Sequence, residues 1–133
     1  MYPVKKVHIT CGFHVKGNQW MSGRHQGYDF GAPVGTDVFA IANGEVVGVG
    51  IWGKAFGEFS PVIKHGKLFA RYVIYAHVRM TNVKVGDKVK KGQKIAEVGV
   101  EGNSGGPHVH VEGQKTRFWK PDGGTRLNAF FRA

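Results

Sequence analysis

Residues 37–49 read DVFAIANGEVVGV, two short runs of β-branched and apolar residues on either side of Asn43-Gly44. Val, Ile and Phe suit a pleated, half-buried surface, and an Asn-Gly pair tolerates the positive φ values of a tight hairpin turn. The spacing predicts strands over 37–42 and 45–49, joined at that dipeptide. Working outward, residues 62–64, 69–76 and 94–100 are further β-branched or alternating runs. The segment VKVGDKVKKGQKIAEVG at 83–99 sets Gly86 and Gly92 at turns, with valines and Ile95 alternating between them. No stretch of about a dozen residues carries a helical stripe, and LNAFFRA at 127–133 has room for one helical turn. The fold class that follows is all-β, a curled antiparallel sheet or sandwich.

The 133 residues fit one compact domain with a single core, spanning 1–133. Twenty-one glycines and five prolines match many turns between short strands. No apolar run is long enough for a transmembrane segment, and MYPVKKVHIT at the start lacks the apolar stretch of a secretory signal. The expectation is a chain that leaves the cell without a signal peptide, or a mature form or part of a larger protein. Nineteen basic residues against nine acidic ones give a net charge of +10, which predicts attraction to a polyanion. Nucleic acid is disfavoured, since it calls for stacking aromatics set among basic residues on one strand face. Trp52, Phe56 and Phe59 lie in a glycine-rich stretch without that pattern. The lysines at 84, 88, 90, 91 and 94 read as groups that keep a sheet edge solvated. Cys11 is the single cysteine, so no intrachain disulfide forms. Within VHITCGF it reads as a small buried apolar group.

Chemistry concentrates in the seven histidines, at 8, 14, 25, 65, 77, 108 and 110. RHQGYDFGAP holds His25 and Asp29 at His-x-x-x-Asp spacing, His77 ends RYVIYAHV, and GNSGGPHVHVE carries His108 and His110 as His-x-His. In a strand, residues two apart share a face at roughly 6.5–7 Å, so His108 and His110 can serve one site together. A zinc–nitrogen bond is only about 2.0–2.1 Å, so one of the pair ligates while the other stands off. On a straight strand His25 and Asp29 would be about 13 Å apart, and Gly27 allows the bend that closes this gap. Two imidazoles and one carboxylate suit a zinc ion with a fourth position open for water or substrate, a catalytic rather than a structural site.

HQGYDFGAPVGTDVFAIANGEVV, the Tyr-x-His of IYAHV, VKVGDKVKKGQKIAEVG and NSGGPHVHVE together resemble the lysostaphin-like zinc endopeptidases of peptidoglycan, over nearly the whole chain. The resemblance implies a small antiparallel β structure, of the lysostaphin-type (duplicated hybrid motif) kind, with a groove over the metal. It implies His25, Asp29 and His110 as ligands of one Zn2+ per chain, with His77 and His108 as catalytic histidines that are not ligands. It further implies a zinc-dependent endopeptidase acting on peptidoglycan stems or cross-bridges at the bacterial cell wall. Tyr75 is a candidate substrate-binding phenol, although its position beside His77 favours the core. His65 and His8 read as structural. The expected partners are the peptidoglycan peptide and, through charge, anionic wall polymers, and the expected state is a monomer. A strongly basic lytic domain without a wall-binding module suits a phage endolysin or a part of a larger protein. The alternative is an inactive relative that binds peptidoglycan or regulates a hydrolase, which is disfavoured because every ligand is present. Here the usual His-Leu-His-Phe is HVHV, and CGFHVKGNQWMSGR replaces the more usual glycine-arginine pattern, placing His14 in a loop upstream of the site.

Overall fold

The computed structural model describes residues 1–17, 19–20 and 22–132. In chain order the strands among them are β1 (Ile9–Cys11), β2 (Tyr28–Gly31), β3 (Asp37–Phe39), β4 (Gly44–Val49), β5 (Pro61–His65), β6 (Arg71–Ala76), β7 (Val78–Thr81), β8 (Lys88–Val89), β9 (Lys94–Val98) and β10 (His108–Gln114), followed by a helix α1 (Asn128–Arg132). Seven of them form one sheet in the order β1-β2-β10-β6-β5-β4-β8, and β3-β9-β7 form a second. Every pairing between these strands is antiparallel. The all-β reading holds, and the tail makes only the short α1.

Alternation along each strand sorts the side chains into two apolar layers. Phe30, Val109, Val111, Val73, Tyr75 and Ile63 of the large sheet pack against Val38, Ile95, Ala96, Val98 and Val78 of the small sheet, all with zero exposure. Each such Val, Ile or Phe side chain contributes about 1.5–3 kcal/mol by leaving water. The opposite face of the large sheet carries a second cluster of Trp52, Val62, Ile74 and Ala76, with Val47, Phe56, Tyr72 and Trp119 packed on it. That second face is where the histidines gather.

The structure corrects the hairpin expected at Asn43-Gly44. β3 pairs with β9, whereas β4 pairs with β5 and β8, so residues 40–43 carry the chain from one sheet to the other. Gly44 is a strand residue opposite His65, and a Cβ there would come within 2.5 Å of the Lys64 carbonyl oxygen. Glycine is required for that close approach and not for a turn conformation. Asn43 fastens the crossing: its carbonyl accepts from His65 Nδ1 at 3.1 Å and its Oδ1 accepts from the Lys91 N–H at 2.8 Å. Gly86 and Gly92 do adopt positive φ, 95° and 84°, in turns flanking β8, and exposed Lys88 lies on that edge strand. At the C-terminus Phe131 of α1 is buried, and its ring stacks on Tyr2 at 5.2 Å and meets Tyr28 edge-on at 5.0 Å. Among the described residues no helix is long and apolar enough to cross a membrane.

Candidate metal centre

β10 lies between β2 and β6, so its side chains meet neighbours from both. His110 is opposite Asp29 on one side and Ala76, the residue before His77, on the other. His108, two residues earlier on β10, shares that face. On β2 the alternation sends Tyr28 and Phe30 into the core and leaves Asp29 for the groove. The chain bends at Gly27 and brings His25 back over β10. A Cβ on Gly27 would lie 2.6 Å from the Val111 carbonyl oxygen and 2.8 Å from His110 Cε1, so only glycine lets the bend close this tightly.

Three donor atoms converge as a result. His110 Nδ1 lies 2.8 Å from Asp29 Oδ1 and 3.1 Å from His25 Nε2, and His25 Nε2 lies 3.3 Å from Asp29 Oδ1. A tetrahedral ion with bonds of 2.0–2.1 Å holds its donors about 3.3 Å apart, so this triangle is close to the face that zinc requires. The other nitrogen of each imidazole is already committed. His25 Nδ1 donates to the Gly12 carbonyl at 2.8 Å, and His110 Nε2 donates to Glu112 Oε1 at 2.9 Å. These bonds fix the two rings to present opposite nitrogens to one point. Glu112 is itself 2% exposed, and its Oε2 accepts from Gln114 Nε2 at 2.8 Å and Trp119 Nε1 at 2.7 Å.

The electrostatics match a cation site. Burial disfavours a charged His110, but hydrogen bonds and Coulomb attraction from Asp29 and Glu112 outweigh it and raise its pKa to about 9. Burial likewise opposes the Asp29 carboxylate, yet hydrogen bonds from His110 and His25 hold its pKa well below the usual carboxylate range. Without metal, a proton on His110 is thus held where a divalent cation would sit. Two imidazoles and a carboxylate suit zinc and leave one tetrahedral position free.

His77 and His108 flank this triangle. His77 has φ 66°, in the left-handed region that side chains other than glycine rarely adopt. That turn breaks the alternation after Ala76 and swings the imidazole into the groove, 4.8 Å from the His108 ring and 6.1 Å from the His110 ring between centroids. The His77 backbone N–H donates to the Phe56 carbonyl at 2.8 Å, and ring Nδ1 donates to the Glu101 carbonyl at 2.6 Å, which leaves Nε2 for chemistry. Burial lowers the His77 pKa to about 4, with the neighbouring His110 and His108 adding to the effect and the Glu101 carbonyl opposing it. His108 is anchored in the same way, Nδ1 donating to the Gly106 carbonyl at 2.8 Å, while its Nε2 stands 3.7 Å from Asp29 Oδ1. Phe56 stacks on the His110 ring at 5.7 Å and covers its flank.

The structure therefore brings His25, Asp29, His77, His108 and His110 into one groove. Tyr75 is not among them, which corrects its candidacy for substrate binding. Paired with Val111 on the core side of the sheet, it is fully buried, donating to His65 Nε2 at 2.7 Å and accepting from the Ile41 N–H at 3.1 Å. His65 is the structural group expected, wholly buried between Tyr75 and Asn43. Exposed His8 and His14 stand outside the cluster. Cys11 is half-buried rather than fully buried, and lies opposite Asp29 with its Sγ within 4.8 Å of donor atoms of His25 and Asp29. Burial and the Asp29 charge push its pKa up, so it stays a thiol. Sequence reasoning missed Glu112, Gln114 and Trp119. For Glu112 the signal was present: it lies two residues beyond His110 in HVHVE and so shares its face.

Comparison with known proteins identifies the family. The pattern of Peptidase family M23 matches residues 23–124. The chain is 39% identical over 116 residues to the peptidoglycan DD-endopeptidase ShyB of Vibrio cholerae, covering 84% of this chain and 26% of that protein. It is 38% identical over 90 residues to lysostaphin of Staphylococcus simulans, covering 68% and 18% respectively. It spans about a quarter of the length of the first curated relatives it matches. Among solved structures, the catalytic domain of lysostaphin from Staphylococcus simulans superposes with a TM-score of 0.82 at 28% identity, over 96% of this chain and 93% of that one. A zinc-containing peptidase from Vibrio cholerae superposes at 0.69 with 37% identity, over 84% and 35%. The chain belongs to peptidase family M23, and its fold is that of the lysostaphin-type catalytic domains.

Proposed function

We propose that this protein is a zinc-dependent endopeptidase that hydrolyses peptide bonds in the stems or cross-bridges of bacterial peptidoglycan. The observation that carries the reading is the convergence of His25 Nε2, Asp29 Oδ1 and His110 Nδ1 within 3.3 Å of one another, beside two further anchored histidines. His25, Asp29 and His110 hold one zinc ion. When bound, zinc supplies a Lewis acid for the scissile carbonyl and the attacking water. His77 and His108 share two tasks: one neutral imidazole takes the proton of the attacking water at Nε2, and the other, as the imidazolium, donates Nε2–H to the oxygen on which negative charge develops. Both rings hold Nδ1 on a backbone carbonyl, so each presents Nε2 to the groove without having to rotate. Peptidoglycan as substrate is supported by the endopeptidases among the relatives, and the net charge of +10 favours approach to an anionic wall. A bacteriolytic role at the cell wall, as in an endolysin, is in keeping with both.

The test is digestion of purified peptidoglycans of several cross-bridge types, with mass spectrometry of the products. New amino groups should appear with the native protein, and neither with His108→Ala nor in the presence of a zinc chelator. Release of sugar reducing ends instead would overturn the peptidase reading. For the ligand set, elemental analysis should find about one zinc per chain, lost in Asp29→Ala. Full zinc retention in that variant would remove Asp29 from the set.

A further inference from the structure

A second cavity of about 590 Å³ opens on the groove face, walled by Trp52 and Trp119 and rimmed by Ile51, Arg117 and Phe118. We propose that it is a saccharide subsite that takes one or two sugar residues of the glycan strand, holding the polymer while its peptide reaches the metal centre. This rests on the peptidoglycan reading above and names a part of the substrate that the zinc site does not touch.

The rings of this cavity are fixed in place. Trp52 Nε1 donates to the Arg117 carbonyl at 2.8 Å and Trp119 Nε1 donates to Glu112 Oε2 at 2.7 Å. Both indole N–H groups are therefore satisfied internally, and what the walls offer a ligand is apolar ring surface. Phe118 is 72% exposed and Ile51 49% exposed, so large apolar groups stand in water beside one another at the rim. Such a patch next to an active centre marks a binding surface. Arg117 is exposed at the rim, and among the described residues it has no ion-pair partner within 4.0 Å. Arg117 lies over the Phe118 ring at 5.6 Å, its guanidinium able to donate to a ligand's oxygens.

Flat apolar walls under a polar, cationic rim fit a pyranose ring. Its C–H faces stack on aromatic rings, while its hydroxyl and acyl oxygens accept hydrogen bonds from Arg117 at the rim. A purely aliphatic ligand would leave Arg117 unused. Position supports the same occupant. Phe56 joins the two sites, stacking on His110 at 5.7 Å and meeting Trp119 edge-on at 5.7 Å. The step from metal ligand to cavity wall is thus spanned by three or four extended residues at about 3.3–3.6 Å each. A peptide hanging from a sugar in the cavity reaches the zinc site.

The test uses the full chain with two exposed substitutions, Phe118→Ser and Arg117→Ala. Peptide-free glycan strands should quench or shift the tryptophan fluorescence of the native protein and do so more weakly in both variants. On intact peptidoglycan each variant should raise KM about three- to tenfold with kcat unchanged, the effect of losing one aromatic or hydrogen-bonding contact. On a soluble cross-linked peptide without sugar, kinetics should be native. Equal losses on both substrates would assign the cavity to the peptide, and no loss on either would remove it from binding; either result overturns the proposal. If the native protein releases no amino groups from any peptidoglycan, the enzymatic reading fails, whereas the fluorescence titration with glycan still decides the subsite.

Discussion

Glu112 takes three hydrogen bonds on two oxygens while only 2% exposed, and one of them holds the ring of His110. A glutamine there has the same shape but trades one acceptor for an N–H2 group, which then faces either His110 Nε2–H or the donors of Trp119 and Gln114. Glu112→Gln should therefore weaken zinc binding about 10- to 100-fold, the usual cost of losing a carboxylate behind a ligating imidazole. Competition titration against a chelator of known affinity measures this, and an unchanged Kd would show that packing alone orients His110. His77 is a separate case, because its left-handed backbone costs roughly 1–2 kcal/mol in a residue other than glycine. Asparagine tolerates that conformation better than most side chains. His77→Asn should keep its zinc and stay within about 1 kcal/mol of native stability, yet lose some 10²–10⁴-fold in activity, the share of a general acid or base. A parallel loss of zinc or of the folded state would make His77 structural instead.

Among the elements, what positions the site is the pairing of β10 with β2 and β6, together with the bend at Gly27. Gly27→Ala puts a methyl group against the Val111 carbonyl and His110 Cε1, so it should cost about 1–3 kcal/mol by overpacking and loosen the metal site with it. Gly105→Ala is the control, since a Cβ there meets nothing within 4 Å; its urea midpoint should stay native, whereas that of Gly27→Ala should fall. The same elements show what could be read from the chain. A period of two placed His108 and His110 on one face, and a bend between His25 and Asp29 followed from the distance they had to close. Alternation reports which face a side chain takes and says nothing about which strand lies alongside. Residues 37–39 and 45–49 therefore read correctly as strands, and 40–44 wrongly as strand and turn of a hairpin, because the partner of β4 is β5 and that of β3 is β9. Tyr75 depended on local backbone: with His77 turned by a positive φ, the two residues face opposite sides of the sheet, and no glycine marks the place. Trp119 reaches Glu112 from the segment after β10, a contact without local signature.

On the scale of the whole molecule, stability and metal binding both depend on pH, and the histidines act in opposite senses. His65 and His77 have pKa values near 4, held down mainly by burial, against an ordinary value of 6.5. Their contribution is present above 6.5 and is lost as pH falls from 6.5 through 4, since the unfolded chain binds their protons first. For wholly buried His65 this amounts to roughly 3 kcal/mol at 1.36 kcal/mol per pH unit. The drop in urea midpoint between pH 6.5 and 4 should shrink in His65→Gln. His110 works the other way: raised to about 9, it stabilises the metal-free fold fully below 6.5 and loses this as pH rises through 9. That proton occupies the nitrogen a metal needs, so zinc must displace it. At pH 7 the metal-free protein should release about one proton per zinc bound, and apparent affinity should climb towards tenfold per pH unit until about pH 9. Zinc at a hundred times its Kd should then add about 2.7 kcal/mol to the stability of the folded chain. Calorimetric zinc titrations in two buffers of different ionisation enthalpy count the proton directly. Identical heats in both would mean that His110 is already neutral in the metal-free site, with its one N–H on Glu112 and Nδ1 bare for the metal.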